Sequence, residues 1–98
     1  MKYQIRFTDE ALADMDRLYD YLIEWDLESA DRSYETLLKS MKLLEVFPFS
    51  CRKARGKDAF LRELVVPFGS TGYVVLFSIS SEMVTIAAVR HQREDDYH

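Results

Sequence analysis

The stretch that decides the fold is Tyr73-Val-Val-Leu-Phe-Ser-Ile-Ser-Ser-Glu-Met-Val-Thr-Ile-Ala-Ala-Val-Arg-His91. Its first seven residues are apolar at nearly every position, which is typical of a central strand buried on both faces. Ser80-Ser81-Glu82 is short enough for a hairpin turn, so the segment from Met83 to Arg90 pairs with the first in an antiparallel ladder. This hairpin is the predicted centre of a sheet.

A third strand precedes the hairpin. Phe60 to Val66 is predicted as a strand closed by Pro67, and a predicted turn follows at residues 68–72. Three consecutive strands joined by short turns form an antiparallel meander. The preceding stretch from Phe49 to Asp58 is polar and basic, so it is predicted as a loop.

The N-terminal half predicts a strand and two helices. Tyr3 to Phe7 alternates as a half-buried strand does, and Thr8 follows as a helix N-cap. Apolar residues at helical spacing predict one helix over about residues 9–25. A second helix is predicted to start at Glu28 or Ser29 and to end at Phe47-Pro48. So short a link makes the two helices antiparallel.

The predicted fold class is therefore α+β, in the order β-α-α-β-β-β. The helical hairpin covers one face of an antiparallel sheet, and the N-terminal strand joins an edge of that sheet. A chain of 98 residues is too short for a second core, so residues 1–98 are expected to form a single domain.

Composition and charge limit the function. The net charge is −4, and residues 51–66 hold five Lys/Arg against two Asp/Glu while residues 1–46 hold six against eleven. This acidity disfavours tight, non-specific nucleic-acid binding. No apolar run is long enough to cross a membrane, the start lacks the features of a signal peptide, and Cys51 is the one cysteine, so we expect a cytoplasmic protein. No spacing predicts a metal or cofactor site.

The end of the last strand is the first candidate site, because Arg90, His91 and Arg93 follow a run of apolar residues. Such a cluster suits an anion, and the imidazole adds a group that titrates near neutral pH. The alternative is that Arg90 pairs with Glu63 and that the rest is a solvated tail.

The basic segment is the second candidate. Arg52, Lys53, Arg55 and Lys57 suit a phosphate backbone or an acidic partner, although a solvated loop explains the same run. Arg62 on the next strand is predicted to converge with Arg90.

A third constellation has the residue types of a ribonuclease. Cleavage of RNA by its own 2′-hydroxyl needs a base, an acid and cations for the phosphorane. Glu63 or His91 would be the base, His91 or Tyr97 the acid, and Arg62 with Arg90 the cations. Exposed ion pairs explain the same residues with fewer assumptions.

Aromatic residues on the helices, namely Tyr19, Tyr21, Trp25 and Tyr34, are predicted as core and rim of the helical hairpin. The alternative is an exposed aromatic edge that meets another subunit. Cys51 is predicted as a buried small residue and not as a nucleophile.

The order of several short motifs resembles the RelE/ParE toxins of type II toxin–antitoxin systems. These motifs are Tyr3-x-Ile5-x-Phe7-Thr8-x-x-Ala11, Asp16-x-x-x-Asp20-Tyr21-Leu22, Phe47-Pro48, Arg62-Glu63-Leu64, Tyr73-Val-Val-Leu-Phe77 and Val89-Arg90-His91-x-Arg93. The resemblance implies the same fold and a cognate antitoxin whose extended C-terminal segment wraps the toxin. A homodimer and a hetero-oligomer with the antitoxin are both compatible with the sequence.

The resemblance implies two alternative targets. RelE-like members cut messenger RNA on the ribosome, a role that would fall to Arg62, Arg90, His91 and Tyr97. ParE-like members inhibit DNA gyrase without a nuclease site. The net charge, the acidic residues 94–96 and the long hairpin favour the ParE-like branch. The target-binding surface would then comprise Arg52, Lys53, Arg55, Arg62, Arg90, His91 and Arg93. A third alternative is a non-toxic relative that only binds the antitoxin.

Overall fold

Two helices pack against one face of a five-stranded mixed sheet. The computed structural model describes residues 2–54, 60–68 and 71–92, with Thr71 described by its backbone alone. The elements are β1 (Gln4–Phe7), α1 (Asp9–Ile23), α2 (Leu27–Lys42), β2 (Arg52–Lys53), β3 (Leu61–Phe68), β4 (Thr71–Ser80) and β5 (Met83–His91), with single 3-10 turns at Leu43–Glu45 and Pro48–Ser50. The predicted α+β class is confirmed.

The strand order is β1-β5-β4-β3-β2, so the predicted meander lies at the centre and the N-terminal strand at an edge. β1 is parallel to β5, whereas the other pairs are antiparallel, which makes the sheet mixed and not wholly antiparallel. No tight turn joins β1 to β5, so local sequence does not dictate their relative direction. β2 was predicted as loop; it pairs two residues with β3.

Several predicted boundaries are wrong by a few residues. The second helix begins at Leu27 because the Asp26 carboxylate accepts the backbone N–H groups of Glu28 and Ser29, each at 3.3 Å. That helix ends at Lys42, before Phe47, and β3 continues through Pro67, which pairs with Gly72 of β4.

The core lies between the hairpin and the alternate residues of β4 that face it. Its buried side chains come from both helices, from the 3-10 turn after α2 and from three strands. Those that are fully buried include Ala11, Leu44, Val66, Val75, Phe77, Val84, Ile86 and Val89. One polar contact lies within it: the hydroxyl of Ser33 on α2 donates to the Tyr73 hydroxyl of β4 at 2.7 Å. This bond ties the second helix to the central strand.

We expect Tyr73→Phe to lower the free energy of unfolding by about 1–3 kcal/mol, because it leaves the buried Ser33 hydroxyl without its partner. The double variant with Ser33→Ala should cost less than the sum of the two single changes, since both polar groups are then gone. Urea unfolding measures all three.

The matched control is Tyr34→Phe, which removes a hydroxyl from an exposed tyrosine one residue along α2. Its effect should stay within about 0.5 kcal/mol. A Tyr73→Phe variant as stable as this control would contradict the assigned role of the buried bond.

Candidate functional site

The site predicted at the end of β5 lies on a strand edge that β1 does not cover. β1 ends at Phe7, opposite Ile86, and β5 continues to His91. Beyond β1, Thr8 at the start of α1 supplies the hydrogen bonds to β5. The Thr8 N–H donates to the Ile86 carbonyl at 3.0 Å, and the Thr8 hydroxyl donates to the Ala87 carbonyl at 3.2 Å. Because unpaired buried backbone groups are costly, this edge constrains where α1 lies.

Asp14 of α1 completes the cover of the edge. Its carboxylate oxygen Oδ2 accepts the Val89 N–H at 3.0 Å, a bond between residues 75 positions apart in the chain. The same oxygen accepts a charge-assisted bond from the Arg90 guanidinium. The two side chains are only 14% and 15% exposed. Arg90 is therefore neutralised by a helix carboxylate within the fold.

Asp14 is a residue that sequence reasoning missed. The expected partner of Arg90 was Glu63, and this pairing is wrong: Glu63 is buried and its Oε1 lies 2.5 Å from Nε of Arg52 on β2. The available signal was the position of Asp14, which falls on the same helix stripe as the buried Ala11 and Leu18.

Arg62 is also held within the fold. Its guanidinium donates to the Cys51 carbonyl at 2.6 Å and to the Phe49 carbonyl at 3.4 Å. It also lies 5.2 Å from the centre of the Phe49 ring, a cation–π distance. Arg62 thereby fastens the segment that enters β2 to the sheet.

Arg62 and Arg90 do not converge. Arg62 lies opposite Phe77 in the register and Arg90 opposite Val74, on the two sides of β4. Phe77 faces the helices, and residues three apart on a strand point to opposite faces. The two positions are also separated by roughly 10 Å along the strand and roughly 10 Å across it. The two guanidinium groups are also held by different partners, Arg90 by the Asp14 carboxylate and Arg62 by two backbone carbonyls.

The other predicted site residues are dispersed. The His91 ring packs edge-on against the Tyr73 ring, with centroids 5.6 Å apart. Lys53 on β2 is exposed. Arg55, Lys57, Arg93 and Tyr97 lie outside the described residues.

Cys51 is half-buried. Burial raises the pKa of its thiol, and the nearby Arg62 guanidinium opposes that shift only in part. A raised pKa keeps the thiol protonated and weakly nucleophilic. Within the described ranges, no three His, Cys, Asp or Glu side chains are placed to hold a metal ion.

The exposed side of the hairpin is acidic and aromatic. A shallow groove between the helices is lined by Asp16, Tyr19, Asp31, Tyr34 and Glu35. The Tyr19 hydroxyl donates to Asp31 at 2.6 Å, and this hydrogen bond raises the pKa of Tyr19. Tyr21 and Trp25 are exposed beyond the groove. The hairpin aromatics thus form a rim rather than a core.

A family model matches the sequence over nearly the whole chain. Residues 5–96 match the model of the ParE toxin of the type II toxin–antitoxin system parDE. The chain belongs to the ParE toxin family.

Individual relatives place this ParE family member within the wider RelE/ParE superfamily, as the motifs predicted. It is 31% identical over 91 residues to Toxin RelE3 of Caulobacter vibrioides, covering 92% of this chain and 95% of that protein.

Solved structures show the shared fold. The chromosomal ParDE system of P. aeruginosa superposes with a TM-score of 0.77 at 16% identity, over 92% of this chain and 96% of that one. The RelBE2 toxin–antitoxin complex of Mycobacterium tuberculosis superposes with a TM-score of 0.59 at 22% identity, over 93% and 99%. No helix among the described residues of the toxin is long and apolar enough to span a membrane.

We expect Asp14→Ala to lower the free energy of unfolding by about 3 kcal/mol, because it leaves Arg90 and the Val89 N–H without their common acceptor. Arg90→Met should cost less, since Asp14 then still accepts from Val89. Urea unfolding measures both. The control is Asp16→Ala on the exposed side of the same helix; equal effects at positions 14 and 16 would contradict the edge-capping role.

The raised pKa of Cys51 predicts slow alkylation of the folded toxin. At pH 8 the half-buried thiol forms less thiolate than a free one, so iodoacetamide should react several-fold more slowly with the folded protein than with the same protein in urea. Because the pKa is raised, the midpoint of the rate against pH should lie above 9.0, the ordinary thiol value. Rapid labelling of folded protein at pH 7 would contradict this.

Proposed function

We propose that this ParE family member arrests growth by binding a protein target, DNA gyrase, and does not cut RNA. The engagement of its two candidate catalytic arginines supports this most directly: Arg90 is paired with Asp14, and Arg62 with two backbone carbonyls. A ribonuclease stabilises the charge that develops on the phosphate with preorganised cations. Cations already satisfied within the fold, each by a different part of the chain, are poorly placed for that task.

The charge distribution also favours a protein target. The net charge is −4, and the exposed side of the helical hairpin carries Asp16, Asp31 and Glu35 around its groove. A polyanion such as messenger RNA is repelled by such a surface. A protein with basic residues is attracted to it.

We further propose that a cognate antitoxin binds an exposed sheet edge. Among the described residues, β2 pairs only with Arg62 and Glu63, so no strand covers the outer edge of β3 from Leu64 to Phe68. An extended peptide adds to such an edge through main-chain hydrogen bonds. The solved relatives include ParDE and RelBE toxin–antitoxin systems, which supports a partner of this kind.

A ribosome-dependent endoribonuclease is the second candidate function. It is favoured by the 31% identity to Toxin RelE3. Under this alternative, Arg62, Arg90, His91 and Tyr97 would contact the RNA, and the internal bonds of both arginines would have to break on binding.

Purified protein should inhibit the negative supercoiling of relaxed plasmid by DNA gyrase, and its induction in cells should trigger a DNA-damage response while translation continues. Tyr97→Phe should keep both effects, because Tyr97 has a role only in the nuclease alternative. Intact supercoiling together with codon-positioned messenger RNA cuts, lost in Tyr97→Phe, would overturn the proposal in favour of the nuclease.

A further inference from the structure

The turn between the two helices exposes an unusual amount of apolar surface. We call residues 20–28 the hairpin tip. Trp25 is 75% exposed there, Tyr21 60% and Leu27 57%. Interhelical turns are usually polar, because nothing in the fold covers them. A concentration of large apolar side chains at such a turn marks a contact surface.

Two of these side chains form a single platform. Tyr21 and Trp25 lie four residues apart, and their ring centroids are 6.4 Å apart. Neither belongs to the hydrophobic core. Tyrosine and tryptophan contribute most strongly to protein interfaces, since each presents a large rigid surface with one polar group.

Carboxylates flank these two aromatic residues in the sequence. Residues 20–28 include Asp20, Glu24, Asp26 and Glu28 and contain no lysine or arginine. Asp26 caps the second helix. The other three are exposed, and within the part of the chain that the structure describes they make no ion pair. Their charge is therefore available to a partner.

We propose that the hairpin tip is the surface with which the toxin binds its protein target. The occupant it fits is an apolar pocket bordered by lysine and arginine side chains. Trp25 and Tyr21 would enter the pocket, and the carboxylates would meet its basic border. This inference rests on the proposed function, because it requires a protein target.

Charge argues against the other occupants. A symmetric contact between two copies would bring two clusters of four carboxylates together, which costs several kcal/mol for like charges at an interface. A nucleic acid would be repelled by the same groups. A basic protein surface is the complement that remains.

The test is a double variant, Tyr21→Ser with Trp25→Ser, assayed for gyrase inhibition and for growth arrest. We expect at least about a tenfold loss of potency, as for the removal of central interface aromatics. The matched control is Phe47→Ser at the other end of the hairpin, since Phe47 is 61% exposed against 60% for Tyr21. It should keep wild-type potency, and circular dichroism should show both variants folded.

A second variant, with reversed charges, tests the carboxylates of the hairpin tip separately. Glu24→Lys with Glu28→Lys should also lower potency, and wild-type inhibition should weaken as salt rises because the contact is electrostatic in part. Full potency of this variant at low salt would overturn the basic border assigned to the target.

The outcomes separate this inference from the proposed function. If wild type inhibits gyrase and the double variant inhibits equally well, the tip assignment is wrong and the proposed function stands. If wild type does not affect gyrase, the proposed function fails, and the growth-arrest assay then tests the hairpin tip alone. A double variant as toxic as wild type would overturn the assignment of the hairpin tip as the target-binding surface. A harmless double variant, together with a toxic Phe47→Ser, would support that assignment. Sedimentation that shows a wild-type dimer and a monomeric double variant would make the tip a self-association surface and overturn the inference.

Discussion

The rest of the structure depends on how the open edge of β5 is satisfied. β5 runs past the end of β1, and on that side no strand among the described residues supplies partners for its backbone groups from Ile86 to Val89. Thr8 and Asp14 supply them from the start of α1. Because these bonds hold α1 beside the strand, they set the position of the helical hairpin over the core. The carboxylate that makes this possible then needs a cation, and Arg90 provides it.

These internal bonds determine which cations at the rim of the sheet remain available to a ligand or partner. Arg90 neutralises Asp14, Arg52 neutralises the buried Glu63, and Arg62 binds the carbonyls of the segment before β2. Each of these cations would be costly to remove, because its partner is a poorly solvated acceptor. A strand end rich in arginine therefore has a structural explanation here, and the same residue types are not by themselves a sign of phosphate chemistry.

Local sequence patterns were sufficient to predict the helices and strands, but not the hydrogen bonds and ion pairs that connect them. The apolar run from Tyr73 to Ile79 and the polar turn after it predicted the central hairpin, since both signals lie within a few residues. Asp14 and Val89 are 75 residues apart, and a carboxylate on a helix stripe has no local signature of its partner. The two residues of β2 form a strand only because Glu63 and Arg62 lie beside them. The tip aromatics fit helical spacing, yet spacing alone does not distinguish a core position from an exposed one.

The contrast between the arginines and the tip is the strongest argument about function. Arg52, Arg62 and Arg90 of the sheet each have a partner within the fold. Trp25 has no such role: it is 75% exposed, lies outside both helices and touches only the exposed Tyr21 among the described aromatic pairs. Folding does not explain a tryptophan at that position, and water contact with its ring is unfavourable. Residues that the fold does not need, at a place where they are costly to solvate, are best explained by a partner that covers them.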